Sequence, residues 1–201
     1  EPRTQRRDSS PPNRQSSDQD DRTPVRGKPV RRRDREQQPE QPRVAADLHG
    51  TEVWGGLELE KSIVNSILNM GYESPSEIQE ESIPWLLKGR DVVAQAVTGS
   101  GKTASFGIPM SNLVDPSSRD VQGLVLVPTR ELAQQVQREI SLIGRDRGVG
   151  VVAVYGGEPI AKQIKALETG RPIVVGTPGR LKDLMNRRII DLGYVKMAVL
   201  D

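Results

Sequence analysis

Cysteine is absent from this 201-residue sequence, and histidine occurs once, at His49. Without cysteine there is no disulfide framework, no Cys-ligated zinc site, no iron–sulfur cluster and no thiol nucleophile. A single histidine leaves neither a multi-His metal centre nor a Ser-His triad. No apolar run approaches the ~18 residues that a membrane span needs. The N-terminus also lacks the apolar h-region of a signal peptide. These absences lead to the expectation of a cytoplasmic protein that makes no membrane contact. The sequence starts at Glu1 and stops at Asp201 on an apolar run, so a fragment cut at both ends is expected.

Apolar residues are also scarce, at 34%, and aromatics make up only 3%. The deficit is uneven. Residues 1–47 contain no Ile, Leu, Met, Phe, Trp or Tyr, but hold seven of the fifteen prolines. They carry 12 Lys and Arg against 9 Asp and Glu, a net of +3, whereas residues 48–201 carry a net of −1. A segment of this kind cannot bury enough surface to offset its chain entropy, so residues 1–47 are expected to form a disordered basic arm. Two roles fit it equally: a tether that holds nucleic acid through phosphate contacts, or a solvated extension whose arginines are balanced by local acids.

From Leu48 the pattern changes. Leu59, Ile63, Ile67 and Leu68 recur at helical spacing up to Gly71. Ser74-Pro75-Ser76-Glu77 reads as a capping box with proline at the first helical position, opening a helix that ends near Gly89. Apolar runs at 91–96, 124–127, 149–155, 173–176 and 197–200 read as strands. A glycine-rich turn with its helix, and then helical patterns at 131–143, 159–167 and 180–187, separate them. Continuous Val/Ile/Leu strands alternating with helices predict a three-layer α/β domain over residues 48–201, with a mostly parallel sheet covered on both faces.

The strongest chemical signal is Ala96-Val97-Thr98-Gly99-Ser100-Gly101-Lys102-Thr103, between a predicted strand and a predicted helix. That is the context of a phosphate-binding P-loop, in which glycines turn backbone N–H groups inward and the helix adds its positive end. In such a loop Lys102 reaches the β/γ-phosphates of a nucleotide and Thr103 ligates Mg²⁺. Ala96 stands where the motif usually has its first glycine.

With its neighbours, this loop resembles the DEAD-box RNA helicases, motors built from two RecA-like domains. The resemblance runs from Trp54 to Asp201 and rests on five short motifs in order. Gly71-Tyr72-Glu73-Ser74-Pro75-Ser76-Glu77-Ile78-Gln79 looks like the Q motif, with Trp54 placed 17 residues before Gly71, where the family usually has Phe. An amide donates and accepts side by side, which suits adenine, and Tyr72 offers a stacking face. The resemblance implies that Gln79 reads adenine and that Trp54 and Tyr72 belong to the cofactor site. Without it, Gln79 is a helix-surface residue and Tyr72 a core aromatic.

The P-loop matches motif I, apart from the less usual Val97 and Ser100. Pro128-Thr129-Arg130-Glu131-Leu132-Ala133 resembles motif Ia, Gly156-Gly157 the family's GG element, and Thr177-Pro178-Gly179-Arg180 motif Ib. Each follows a predicted strand, at the end where open α/β sheets bind ligands. Together they offer helix N-termini and arginines to one nucleic-acid backbone, contacts that position without reading sequence.

Met197-Ala198-Val199-Leu200-Asp201 resembles the strand into motif II, which makes Asp201 the expected partner of Thr103 toward Mg²⁺. The resemblance implies an ATP-dependent RNA helicase that uses ATP and Mg²⁺ to separate short RNA duplexes locally. It further implies a second RecA-like domain that brings arginine fingers, and a general-base Glu directly after Asp201. On that reading the 201 residues alone bind ATP weakly at most and do not turn it over. A DNA-directed superfamily 2 helicase, and a non-enzymatic RNA-binding protein built from a helicase half, remain as alternatives.

Overall fold

A computed structural model describes residues 47–201. The expected disordered arm therefore falls, but for Asp47, outside the described residues. The domain opens with an antiparallel hairpin of β1 (Thr51–Trp54) and β2 (Leu57–Glu60), which the sequence pattern does not announce. Its turn is Gly55-Gly56, and no side chain fits at the first of these. A Cβ on Gly55 would lie 2.2 Å from Cδ of Pro75.

Helix α1 (Lys61–Asn69) follows and buries Ile63, Val64 and Ile67 beneath the hairpin. Helix α2 (Glu77–Leu87) starts two residues later than the expected capping box implies: its N-cap is Ser76, not Ser74. Gln79, at the third helical position, reaches back so that its Oε1 accepts from the Ser76 N–H at 3.0 Å. A Ser-x-x-Gln box thus replaces the expected Ser-x-x-Glu box, and Pro75 precedes the helix.

Helix α3 (Lys102–Leu113) follows the glycine-rich turn. The chain then alternates: β3 (Gly123–Leu126), α4 (Arg130–Ile143), β4 (Val151–Val154), α5 (Ile160–Glu168), β5 (Ile173–Gly176), α6 (Pro178–Asn186) and β6 (Met197–Leu200). The last four strands form one parallel sheet in the order β4-β5-β3-β6.

Side chains alternate across this sheet with a period of two. Val125, Ile173 and Val175 face a core with Phe106 and Met110 of α3 and with Ala133, Val136 and Ile140 of α4. Leu124, Val152, Val154 and Val174 face a second core with Leu181 and Leu184 of α6. Both sides are covered, which is why the strands read as unbroken apolar runs. A fully buried side chain such as Ile173 contributes about 1.5–3 kcal/mol. A third cluster joins Trp54, Leu57 and Leu59 of the hairpin to Ile83 of α2 and Ile108 of α3.

One predicted strand is not formed. Residues 90–97 pair with no strand, and Val93 is fully exposed. A strand exists only as a hydrogen-bonded ladder, and an apolar run without a neighbour has none. This segment faces the free edge of β6 across an open cavity of about 530 Å³, whose walls include Val92, Ala94, Leu86, Phe106 and Val199. No helix among the described residues is long and apolar enough to cross a membrane.

Candidate nucleotide site and nucleic-acid interface

The glycine-rich turn is shaped by Gly99 (φ +82°) and Gly101 (φ +91°), both in the left-handed region that favours glycine. Gly101 is the N-cap of α3, so the first N–H groups of this 12-residue helix point into the turn. Two hydrogen bonds fasten the loop to α2: Ser76 Oγ donates to the Ser100 carbonyl at 2.9 Å, and Gln79 Nε2 to the Gly101 carbonyl at 3.2 Å. Lys102 folds over its own loop, with Nζ donating to the carbonyls of Ala96 (2.7 Å) and Val97 (2.8 Å). A phosphate entering the turn would replace those carbonyls as the acceptor of the ammonium. Ser100 Oγ is buried with no partner, an orphaned donor on the same loop. Fixed N–H groups, an ammonium and an unused hydroxyl fit a polyphosphate.

The cation end fits as well. Thr103 lies in the first turn of α3, and Asp201 directly follows β6, whose end is tied to β3 by the Asp201 N–H donating to the Leu126 carbonyl at 2.9 Å. A hydroxyl and a carboxylate suit Mg²⁺, which binds through one or two protein oxygens and keeps its waters.

The adenine residues are distributed differently from the expectation. Trp54 is 3% exposed, and its indole N–H donates to the Tyr72 carbonyl at 3.0 Å. Its ring belongs to the core beneath the hairpin, so it presents no face to a cofactor and instead fixes the backbone of Tyr72. Gln79 is likewise buried, and both ends of its amide are engaged, on Ser76 and on Gly101. Reading a base with Gln79 requires exchanging one of these partners. Tyr72 is half-buried, and its phenol donates to Glu139 Oε1 at 3.4 Å. Burial, and next the Glu139 charge, raise the Tyr72 phenol above its ordinary range.

The three loops expected to hold nucleic acid emerge side by side. Val127 N–H donates to the Gly176 carbonyl and Thr177 N–H to the Val154 carbonyl, which ties the ends of β3, β5 and β4 together. Thr129 caps α4, its Oγ accepting from the Leu132 N–H at 3.2 Å. Thr177 caps α6, with Pro178 in its first turn. The Arg130 guanidinium lies 5.0 Å from the centroid of the Tyr155 ring and also faces the turn at Gly157.

Arg180 is not free. It donates to Gln163 Oε1 at 2.8 Å and to the Glu158 carbonyl at 3.1 Å, bracing the loop after Gly157. Gln163 in turn donates to the Tyr155 carbonyl at 3.0 Å.

Lys162, Tyr155 and Glu139 lie against the candidate site residues although no sequence motif points to them. Lys162 adds an exposed cation whose Nζ donates to Glu158 Oε1 at 2.6 Å. That bond holds the Glu158 carboxyl below its usual value and the Lys162 ammonium above its own. A weaker signal for Glu139 is present in the sequence. It lies three residues after Val136 and four before Ile143, an acidic group on a stripe that is otherwise apolar.

Comparison with known proteins identifies the family of this fold. The DEAD/DEAH box helicase family model matches residues 76–201. The "ATP-dependent RNA helicase CshA" of Listeria monocytogenes is 49% identical over 143 residues, which are 71% of this chain and 28% of that protein. The "DEAD-box ATP-dependent RNA helicase CshA" of Bacillus subtilis is 46% identical over 145 residues, 72% of this chain and 29% of that protein. The chain thus spans less than a third of the length of these curated relatives. Among solved structures, a DEAD box protein from Methanococcus jannaschii superposes with a TM-score of 0.68 at 46% identity, covering 72% of this chain and 40% of that one. A hypothetical ATP-dependent RNA helicase from Sulfolobus tokodaii superposes with a TM-score of 0.65 at 40% identity, covering 71% and 41%.

Proposed function

Because this chain belongs to the DEAD/DEAH box helicase family, we infer that residues 48–201 form the ATP-binding, RecA-like half of an ATP-dependent RNA helicase. The observation that carries the reading is the convergence at one end of the sheet. There the P-loop feeds the N-terminus of α3, and three capped or glycine-rich loops line up beside it.

Lys102 and the first N–H groups of α3 would hold the phosphates, and Thr103 and Asp201 would hold Mg²⁺. Bound Mg²⁺ would neutralise charge that develops on the phosphate oxygens. Gln79 and Tyr72 would face the base, with Trp54 acting on Tyr72 from behind. Pro128, Thr129, Arg130, Gly156, Gly157 and residues 177–180 would hold one RNA strand by its backbone. In that grip Arg130 is the direct contact and Arg180 the brace, a division supported by their hydrogen bonds. Contacts of this kind carry no sequence preference. On this reading a second RecA-like domain would complete the hydrolytic site.

The test uses the 201-residue chain. Calorimetry should detect weak MgATP binding that Lys102→Ala reduces by ~10-fold or more, through removal of one charge-assisted bond to phosphate. Phosphate release should stay at background with or without RNA. RNA should bind better than DNA of equal length. RNA-stimulated turnover by this chain, or MgATP binding indifferent to Lys102, would overturn the reading.

A further inference from the structure

We propose that Tyr155 is a positioning residue of the nucleic-acid interface: its buried ring is the platform that holds the Arg130 guanidinium and leaves its N–H donors free for an RNA phosphate. The inference rests on the RNA reading above and adds a residue to it.

Tyr155 directly follows β4 and is 7% exposed, in the core that includes Ala133 and Val136 of α4. Three hydrogen bonds fix it. Its backbone N–H donates to Gln163 Oε1 at 3.3 Å, and its carbonyl accepts from Gln163 Nε2 at 3.0 Å. Its hydroxyl accepts at 2.8 Å from Nε2 of Gln134, one turn along α4 from Arg130. With backbone and phenol both pinned, the fold sets the plane of the ring. The exposed Arg130, first residue of α4, lies over it with Cζ 5.0 Å from the centroid.

The way an arginine is held decides what it can still bind. Its donors lie in the plane of the guanidinium, so an ion pair or a carbonyl contact occupies them, whereas a ring beneath the flat face leaves them free. The two arginines of the interface divide along this line. Arg180 has committed donors to Gln163 Oε1 and to the Glu158 carbonyl. Arg130 forms no ion pair among the described residues and rests on the ring instead. Its Nη1 reaches the Gly157 turn, 3.6 Å from where a Cβ would stand there. The free donors thus sit beside a side-chain-free loop, where a nucleic-acid backbone has room to approach. A stacked arginine has also given up rotamer freedom before RNA arrives, which an unsupported one would lose on binding.

Titration of fluorescein-labelled single-stranded oligouridine with the 201-residue chain, over a series of KCl concentrations, tests this. Arg130→Ala should weaken binding and lower the log–log salt slope by ~0.7, the loss of one phosphate contact. Tyr155→Leu should weaken binding by ~3-fold or more and lower the slope as well, although it removes no charge. A ring that merely fills the core would leave the slope alone. In the Arg130→Ala background Tyr155→Leu should add nothing, and Tyr155→Phe, which keeps the ring, should stay within about twofold of the unaltered chain. If Tyr155→Leu does not fold, NMR of the unaltered chain gives the answer. The ring current of Tyr155 displaces the Arg130 Nε–H resonance, and that displacement should persist at saturating oligouridine. Losses that multiply, an unchanged slope for Tyr155→Leu, or a displacement abolished by RNA would overturn this proposal alone. Arg130→Ala binding RNA as the unaltered chain does would overturn Arg130 as the RNA contact, and this proposal with it.

Discussion

Gly101 carries a constraint that Gly99, two residues before it, does not share. Both have positive φ, at +91° and +82°. A Cβ on Gly101, however, would lie 2.4 Å from Gln79 Nε2 and 3.1 Å from Ser76 Oγ, whereas nothing lies within 4 Å of one on Gly99. Gln79 cannot swing aside cheaply, because its other amide atom closes the α2 capping box. Gly99→Ala should therefore cost about 1 kcal/mol, the backbone penalty alone. Gly101→Ala should cost about 2–4 kcal/mol, since it also expels a buried amide from its hydrogen bonds. Urea denaturation of the two variants checks this, and equal losses would show that the contact with Gln79 carries no energy. The glycines and the glutamine are each legible in the sequence. Their contact is not, since 22 residues separate Gln79 from Gly101.

At the scale of elements, α3 is held at both ends. Its N-terminus carries the glycine-rich loop, and its C-terminus is closed by Arg147 from the segment after α4. Arg147 Nη1 donates to the Ser111 carbonyl at 2.8 Å and also to that of Val114, while Nη2 lies 3.8 Å from Glu60 Oε1. A cation on the last carbonyls of a helix satisfies orphaned acceptors and complements the helix dipole. Arg147→Ala should lower stability by about 2 kcal/mol. Arg147→Lys, with a single donor centre, should recover only part of it. Thermal melting of both variants reads the difference, and a full recovery by lysine would reduce the role to charge alone.

Helix boundaries are readable for a related reason: their stop and start residues act locally. Thr129 and Thr177 cap helices that begin at Arg130 and Pro178, close to the expected starts at 131 and 180. Residues 91–96 show the opposite case. Their composition suits a strand, yet no neighbour pairs with them. Propensity is intrinsic to a segment, but a ladder is a property of two.

For the whole molecule, the balance of charge decides how RNA would be held on the proposed reading. Net positive charge resides in residues 1–47, while residues 48–201 are close to neutral. On that reading the folded domain would rely on placed groups such as Arg130 and Lys162. Of these, Lys162 is already paired with Glu158. If the arm tethers RNA, deleting residues 1–47 should weaken binding and flatten its dependence on salt. The log–log slope should fall by ~0.7 for each phosphate of a single strand that the arm neutralises. Titrations across a series of KCl concentrations measure that slope. An unchanged slope would assign the whole grip to the folded domain.

What the sequence by itself determined was whatever depends on neighbours along the chain. That covers the three-layer α/β class, the helix starts at Thr129 and Thr177, the glycine-rich turn from Ala96 to Thr103, and the order of the loops that follow the strands. Each rests on periodicity, backbone freedom or a short motif, and these act over a few residues. Only the tertiary structure decided how distant groups divide their hydrogen bonds. It buried Trp54 behind Tyr72, turned Gln79 onto the glycine-rich loop, drew Arg180 back to brace Glu158 and Gln163, and set Glu139 against the Tyr72 phenol. The physical reason is that a polar side chain leaving water must find a partner, and the fold, not the chain order, chooses which one is within reach.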